Sequence, residues 1–231
     1  MPVKQKIPYS DGVFFITFTC HKWLHLIAIT NSYDLVYKWF DHLKKEGHFI
    51  IGYQIMPNHI HAIIAFRNTG KDINKAIGGG KRFMAYEIIC RLKKMQGNDL
   101  LQQLAEAVNA SDRKRGKQHE VWEDSFDWKE CRTREMIMQK LDYMHDNPCT
   151  GKWNLASNPA DYIHSSASYY LNDKQGIYPV TSYMDMEDID LTTIYNQSAL
   201  LTASPASHHT IAFAVTRLRS KNNTTGNIPN N

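Results

Sequence analysis

Apolar residues crowd most densely between Phe49 and Phe66, FIIGYQIMPNHIHAIIAF, where two nearly continuous runs meet at Met56-Pro57-Asn58. A proline in mid-run is incompatible with one helix, so the pattern predicts an antiparallel hairpin of two buried strands. Alternation along the second strand puts His59 and His61 on one face with Ile63 and Ala65, and Ile60 on the other with Ala62 and Ile64. Both faces carry apolar residues, which predicts a central strand. Gly12 to Cys20, GVFFITFTC, is rich in aromatic and β-branched residues and predicts a further core strand. Between them Leu35, Val36, Trp39, Phe40 and Leu43 recur at helical spacing over Tyr33 to Glu46, with Asn31 or Ser32 to cap the start and Gly47 to end it.

Downstream the pattern is mostly helical. Gly78-Gly79-Gly80 predicts a break, followed by a helix from about Lys81 with Met84, Ile88, Leu92 and Met95 as its buried stripe. Asp99 to Ala110 predicts another helix, Ser111 to Gln118 a charged loop able to touch phosphates, and Val121 to Trp128 a strand that could bring Glu123, Asp124 or Asp127 near a metal. Arg134 to Asn147 reads as a helix capped by Thr133 and stopped by Pro148, with Ile137, Leu141 and Met144 as its core stripe. Helical spacing then places Lys140, Tyr143 and Asn147 on one face. Further on, a helix is expected over Leu191 to Leu201 and a strand or helix over Ala212 to Leu218. His208 and His209 fall on opposite faces of any strand, and Ser220 to Asn231 is polar enough to be disordered.

The 231 residues, 42% of them hydrophobic, suit one domain with an extension. No signal-like or membrane-spanning run is present in the sequence, so a cytosolic protein is expected, with no membrane partner. Cys20, Cys90, Cys131 and Cys149 form no Cys-x-x-Cys pair and read as reduced structural thiols. The net charge is only +4, but eight Lys or Arg face Asp72 and Glu87 alone between residues 67 and 96. There Lys81, Arg82, Tyr86 and Arg91 interleave bases with an aromatic ring, a composition suited to single-stranded nucleic acid as well as to an ordinary solvated helix face. Arg217, Arg219 and Lys221 offer a further DNA contact in the tail.

A bare His-x-His has two readings: imidazoles hydrogen-bonded within a packed sheet, or ligands of a divalent cation. The tyrosine helix adds a phenol able to act as a covalent nucleophile, and an amide oxygen acceptable to a hard cation. A phenol with a pKa near ~10 needs a base or a cation-polarised electrophile, which the histidine pair could supply. A closed zinc module lacks the four nitrogen or sulfur ligands it requires.

Three blocks, taken together, resemble a known family. They are Met56-Pro57-Asn58-His59-Ile60-His61, Tyr143-Met144-His145-Asp146-Asn147-Pro148, and Asp161-Tyr162-Ile163-His164-Ser165-Ser166-Ala167-Ser168-Tyr169-Tyr170. Their order and spacing resemble the HUH single-tyrosine transposases of the insertion-sequence type, and among these the REP-associated tyrosine transposases. The resemblance spans Gly12 to Leu171 and departs at the glycine triplet and around Trp122. It implies an α+β fold, a central antiparallel sheet flanked by helices of the HUH endonuclease or ferredoxin-like type, over 1–171. An extension over 172–219 and a disordered tail over 220–231 would follow.

The resemblance also implies His59, His61 and Asn147 as ligands of Mg²⁺ or Mn²⁺, and Tyr143 as the nucleophile that forms a 5′-phosphotyrosine on single-stranded, hairpin or palindromic DNA. Lys140 would stabilise charge or contact DNA nearby, and strand exchange between two active sites would suit a homodimer. The alternatives are a replication-type nickase with the same chemistry, and a domesticated nucleic-acid-binding protein that no longer cuts.

Overall fold

The structure, a computed structural model, describes residues 6–124 and 126–195. In chain order these form β1 (Gly12–Thr19), α1 (Leu26–Ile29), α2 (Tyr33–Lys45), β2 (Phe49–Ile55), β3 (His59–Phe66), α3 (Ile73–Lys94), α4 (Asn98–Glu106), α5 (Ala110–Lys114), β4 (Asp127–Glu130), α6 (Arg134–Asp146) and α7 (Ala167–Asn172). The strands make one antiparallel sheet in the order β2-β3-β1-β4. As its apolar pattern predicts, β3 lies inside the sheet, and every one of its residues is buried.

Strand alternation separates two apolar layers. On one face Phe14, Ile16, Phe18, Ile60, Ala62 and Ile64 pack against Leu35, Trp39 and Phe40 of α2 and Ile77, Met84, Ile88 and Leu92 of α3. On the other face Phe15, Ile51, Ile63 and Ala65 pack against Ile137, Leu141 and Met144 of α6. Gly52 lets α6 lie close to β2: a Cβ there would stand 2.6 Å from both Leu141 Cδ2 and Met144 Cε. The register between β2 and β3 shifts at this point, between Ile50 and Gly52.

Several expectations need correction. The glycine triplet does not break a helix; α3 runs through it from Asp72, whose carboxylate accepts from the Asn74 amide at 2.8 Å as N-cap. The reason is tertiary: a Cβ on Gly80 would sit 2.3 Å from Trp39 Nε1, so this position must be bare for α3 to pack on α2. Met95 follows the helix and is 55% exposed rather than buried. Ser32 starts α2 without a side-chain cap, because its hydroxyl bonds Thr30 Oγ1 at 2.5 Å.

The Ser111 to Gln118 stretch is partly helical, since Asn109 Oδ1 accepts from Asp112 N at 2.9 Å and caps α5. Instead of a strand over Val121 to Trp128, a single bridge joins Trp122 to Cys20, and β4 starts at Asp127. The described part of the expected Leu191–Leu201 helix is irregular, for the Asp190 carboxylate accepts from Thr192 N at 2.8 Å and closes a turn instead. The expectations for residues 196–231, namely Ala212 to Leu218, His208 and His209, Arg217, Arg219 and Lys221, and the disordered tail, lie outside the described residues.

Past Leu171 the chain stays packed on this unit: Tyr178 and Val180 join the first apolar layer, and Thr181 N donates to Ile50 O at 2.9 Å. No helix among the described residues is long and apolar enough to cross a membrane.

Candidate active site

β3 and α6 build the site between them. His59 and His61 point to the α6 side of the sheet with ring centroids 4.8 Å apart. Thr133 caps α6 by accepting from Met136 N at 3.3 Å, and the helix ends in an Asn147-Pro148-Cys149 turn. Tyr143, one turn before that end, sets its ring 5.7 Å from the His61 ring, and Asn147 Nδ2 lies 2.9 Å from His61 Nε2. The two histidines, the phenol and the amide that the sequence singles out thus meet in one place.

The ring tautomers follow from neighbours outside that set. Asn58 Nδ2 donates to Trp23 O at 2.8 Å, which turns Asn58 Oδ1 toward His59 Nδ1, 2.7 Å away. A carbonyl oxygen only accepts, so His59 carries its proton on Nδ1 and has a lone pair on Nε2. His61 Nδ1 lies 2.7 Å from Thr17 Oγ1 directly opposite on β1, and with the Asn147 amide nitrogen facing Nε2 it too is protonated on Nδ1. Burial, reinforced by Lys152, lowers His59 to about 4. Burial, with His59 and Lys140 adding to it, lowers His61 to about 3. At neutral pH both are therefore uncharged imidazoles with no proton on Nε2, the state a divalent cation requires. Rotation of the Asn147 amide would turn its oxygen to the same point, giving two nitrogens and one oxygen, a donor set able to hold a divalent cation.

Around this set Phe15 stacks on His61 at 5.4 Å and meets the Tyr143 ring edge-on at 6.1 Å. Lys140 Nζ lies 5.6 Å from the Tyr143 ring centre and 5.3 Å from that of Phe15. Tyr143 is 55% exposed, so an external substrate can reach its hydroxyl. Buried His145 faces away, its Nε2 2.8 Å from Ser166 Oγ, and that hydroxyl also accepts from Tyr53 N at 2.9 Å. Trp23 and Trp153 flank His59, each with its ring 5.7 Å from the imidazole.

The five proposed DNA contacts do not form one surface. Lys81, Arg82 and Tyr86 line an open groove of about 900 Å³ with Lys93, Arg115 and Lys117. Arg91 is turned elsewhere, holding Asp34 at 2.8 Å and donating to Asn31 O at 2.5 Å. Lys140 belongs to the Tyr143 site on the other face of the sheet. Groove and histidines are linked through Glu123, whose carbonyl accepts from Lys81 Nζ at 3.0 Å while its carboxylate accepts from Lys22 N at 2.7 Å, next to Trp23.

Of the three carboxylates considered for the metal, Glu123 is thus engaged with Lys22. Asp127 shares a cross-strand row with Thr17 and His61, but two strand spacings, about 10 Å, separate it from His61. Asp124 clusters with Asp112 and Glu120, and both of those pair with Lys117. Thr17 and Asn58 escaped the sequence reading. The Thr-Phe-Thr alternation in β1 and the Pro-Asn before His59 were the available signals, but only strand register shows which side chains meet.

No family model matches the chain, and no curated protein matches it in sequence. Among solved structures it is similar to a REP-associated tyrosine transposase bound to a REP hairpin, at a TM-score of 0.52 and 16% identity over 85% of this chain and 99% of that one. A crystal structure from Deinococcus radiodurans, provisionally described as a transposase, aligns at a TM-score of 0.36 and 11% identity over 63% of this chain and 97% of that one. The first of these likenesses, over nearly the whole of the solved chain, concerns the arrangement of sheet and helices described above. This chain has the α+β fold of a REP-associated, HUH-type tyrosine transposase.

Proposed function

We propose that the protein cuts and rejoins single-stranded DNA through a 5′-phosphotyrosine on Tyr143. The observation that carries this reading is the meeting of an exposed phenol and the Asn147 amide with two neutral imidazoles whose Nε2 atoms are free of protons. His59, His61 and Asn147 would hold Mg²⁺ or Mn²⁺, which when bound supplies Lewis-acid polarisation of the scissile phosphate.

Tyr143 Oη attacks phosphorus, its proton passing to solvent. The new O–P bond replaces the bond to the 3′-oxygen, which leaves with a proton as a free 3′-hydroxyl. Phosphodiester energy is kept in the protein link, so the reverse reaction on another 3′-hydroxyl joins strands without a nucleotide cofactor. Lys140, beside the phenol, contributes positive charge where the phosphate must approach. Thr17 and Asn58 hold the imidazoles in the required tautomer. The REP hairpin bound by the structural neighbour suggests palindromic DNA as the substrate here. Passing strands between two such sites would suit a homodimer.

The test is cleavage of labelled single-stranded DNA carrying imperfect palindromes, in Mn²⁺ or in EDTA, by the wild type and by His59→Ala. Mn²⁺-dependent cutting that His59→Ala abolishes is expected. An unchanged rate in that variant would remove the role given to the histidine pair.

A further inference from the structure

The His59 end of the site has a feature that phosphoryl transfer at Tyr143 does not use. Trp23 is 55% exposed although it touches a buried histidine. Its backbone is held where few side chains go, since Lys22 and Trp23 both have positive φ, 48° and 59°. Two successive left-handed residues without glycine are a strained arrangement that neighbouring bonds must maintain. Here Trp23 O accepts from Asn58 Nδ2 at 2.8 Å, Trp23 N donates to Cys20 O at 3.0 Å, and Lys22 N donates to the Glu123 carboxylate.

A second indole reaches the same imidazole from the turn that ends α6. Trp153 N donates to Thr150 O at 3.3 Å, and Leu155 N returns to Pro148 O at 2.8 Å, which fixes this turn to the Asn147 end of the helix. Lys152 Nζ lies 5.8 Å from the Trp23 ring centre and 5.3 Å from that of Trp153. Two indoles and an ammonium therefore gather beside His59. Aromatic faces beside a cation suit an unpaired base and its phosphate.

The side of the cut follows from in-line displacement. Attacking and leaving oxygens lie on opposite sides of phosphorus. Tyr143 contacts His61, whereas the indoles contact His59 at the other end of the pair. The leaving 3′-oxygen, and the nucleotide that carries it, then fall on the indole side.

We infer that Trp23 and Trp153, with Lys152, form a stacking subsite for the unpaired base immediately 5′ of the scissile phosphate of single-stranded DNA. This rests on the cleavage reading above. It adds a substrate-positioning element that the three sequence blocks do not contain.

The experiment measures binding by fluorescence anisotropy, using full-length Tyr143→Phe protein to prevent turnover and oligonucleotides spanning the mapped cut. These differ only in one abasic residue, placed either 5′ or 3′ of the cut. Loss of the 5′ base is expected to weaken binding about 5- to 150-fold, the range for stacking one base on an aromatic ring, and loss of the 3′ base less than about twofold. Adding Trp23→Ala or Trp153→Ala should produce the same weakening on intact DNA and erase the 5′ abasic effect, while Trp23→Phe should restore most of it. The Trp23→Phe rescue separates stacking from a loop that has merely collapsed.

Equal affinity of the alanine variants for intact DNA, or sensitivity confined to the 3′ base, overturns the subsite. If the tryptophan variants, with Tyr143 in place, form the covalent adduct at wild-type yield and half-saturating DNA concentration, the subsite falls and the cleavage reading stands. If the wild type cuts no DNA at all, the cleavage reading falls, and the assignment to the 5′ side falls with it.

Discussion

Replacing Gly78, Gly79 and Gly80 in turn by alanine makes one chemical change at three successive positions of α3, and the structure sets the third apart from the first two. Added Cβ atoms at Gly78 and Gly79 meet nothing within 4 Å. There alanine only narrows the unfolded ensemble and improves helix propensity, a gain of about 0.5–1 kcal/mol each. At Gly80 the same Cβ would fall 2.3 Å from Trp39 Nε1, 2.4 Å from Cδ1 and 2.7 Å from Cε2. Trp39 is 2% exposed and packs edge-on against Phe18 at 5.6 Å, so shifting its ring disturbs the first apolar layer. Overpacking of this kind costs about 1–3 kcal/mol, enough to outweigh the propensity gain. Urea unfolding of the three variants should therefore raise the midpoint for Gly78→Ala and Gly79→Ala and lower it for Gly80→Ala, with a spread of roughly 1–3 kcal/mol across the set. A Gly80→Ala protein as stable as Gly78→Ala would refute the close α2–α3 contact and restore the case for a helix break.

Thr17→Val removes the hydroxyl that holds His61 Nδ1 while keeping the shape of the side chain. Mn²⁺ affinity measured by calorimetry should fall about 10- to 100-fold with the fold intact, and unchanged affinity would show that Thr17 does not orient the ligand. Acid should destabilise the metal-free protein over a defined window. Burial lowers His48, His59 and His145 to about 4 from 6.5. As pH falls below about 6.5 the unfolded chain therefore takes up protons that the folded one cannot, and stability drops until the folded pKa is reached. His145 alone should account for about 3 kcal/mol of loss by pH 4, and a urea midpoint that stays level between pH 7 and pH 5 in EDTA would contradict its buried, neutral state. Gly52→Ala, which drives a Cβ against Leu141 and Met144, should lower cleavage more than DNA binding because it moves the helix that carries Tyr143. Equal losses in both assays would argue against that coupling.

Local signals were strong where an element is decided by its own residues. The alternation in β3, the five-residue stripe of α2, and Thr133 and Pro148 at the ends of α6 can all be read from the chain, and with them the faces that bear His59, His61, Tyr143 and Asn147. The glycine triplet misleads because its significance lies in Trp39, on a different helix. Asp190 ends any helix at Leu191 by bonding its own neighbours, a competition that an apolar pattern does not register. Arg91 looks like a DNA contact in a basic run, yet Asp34 and the carbonyls near it hold the guanidinium. Thr17, Asn58 and the two tryptophans come from segments far apart in sequence, so only the β1–β3 register and the turn after α6 bring them to the histidines.

The central claim is that Tyr143 becomes covalently joined to a DNA 5′-phosphate. Wild type and Tyr143→Phe would be incubated in Mn²⁺ with single-stranded palindromic DNA labelled on the 3′ side of the cut, denatured, digested with protease and resolved by mass. A labelled peptide containing residue 143 linked to DNA is expected from the wild type alone, with Tyr143→Phe still binding the same oligonucleotide. A link at another residue, or cutting by Tyr143→Phe at the wild-type rate, would contradict it.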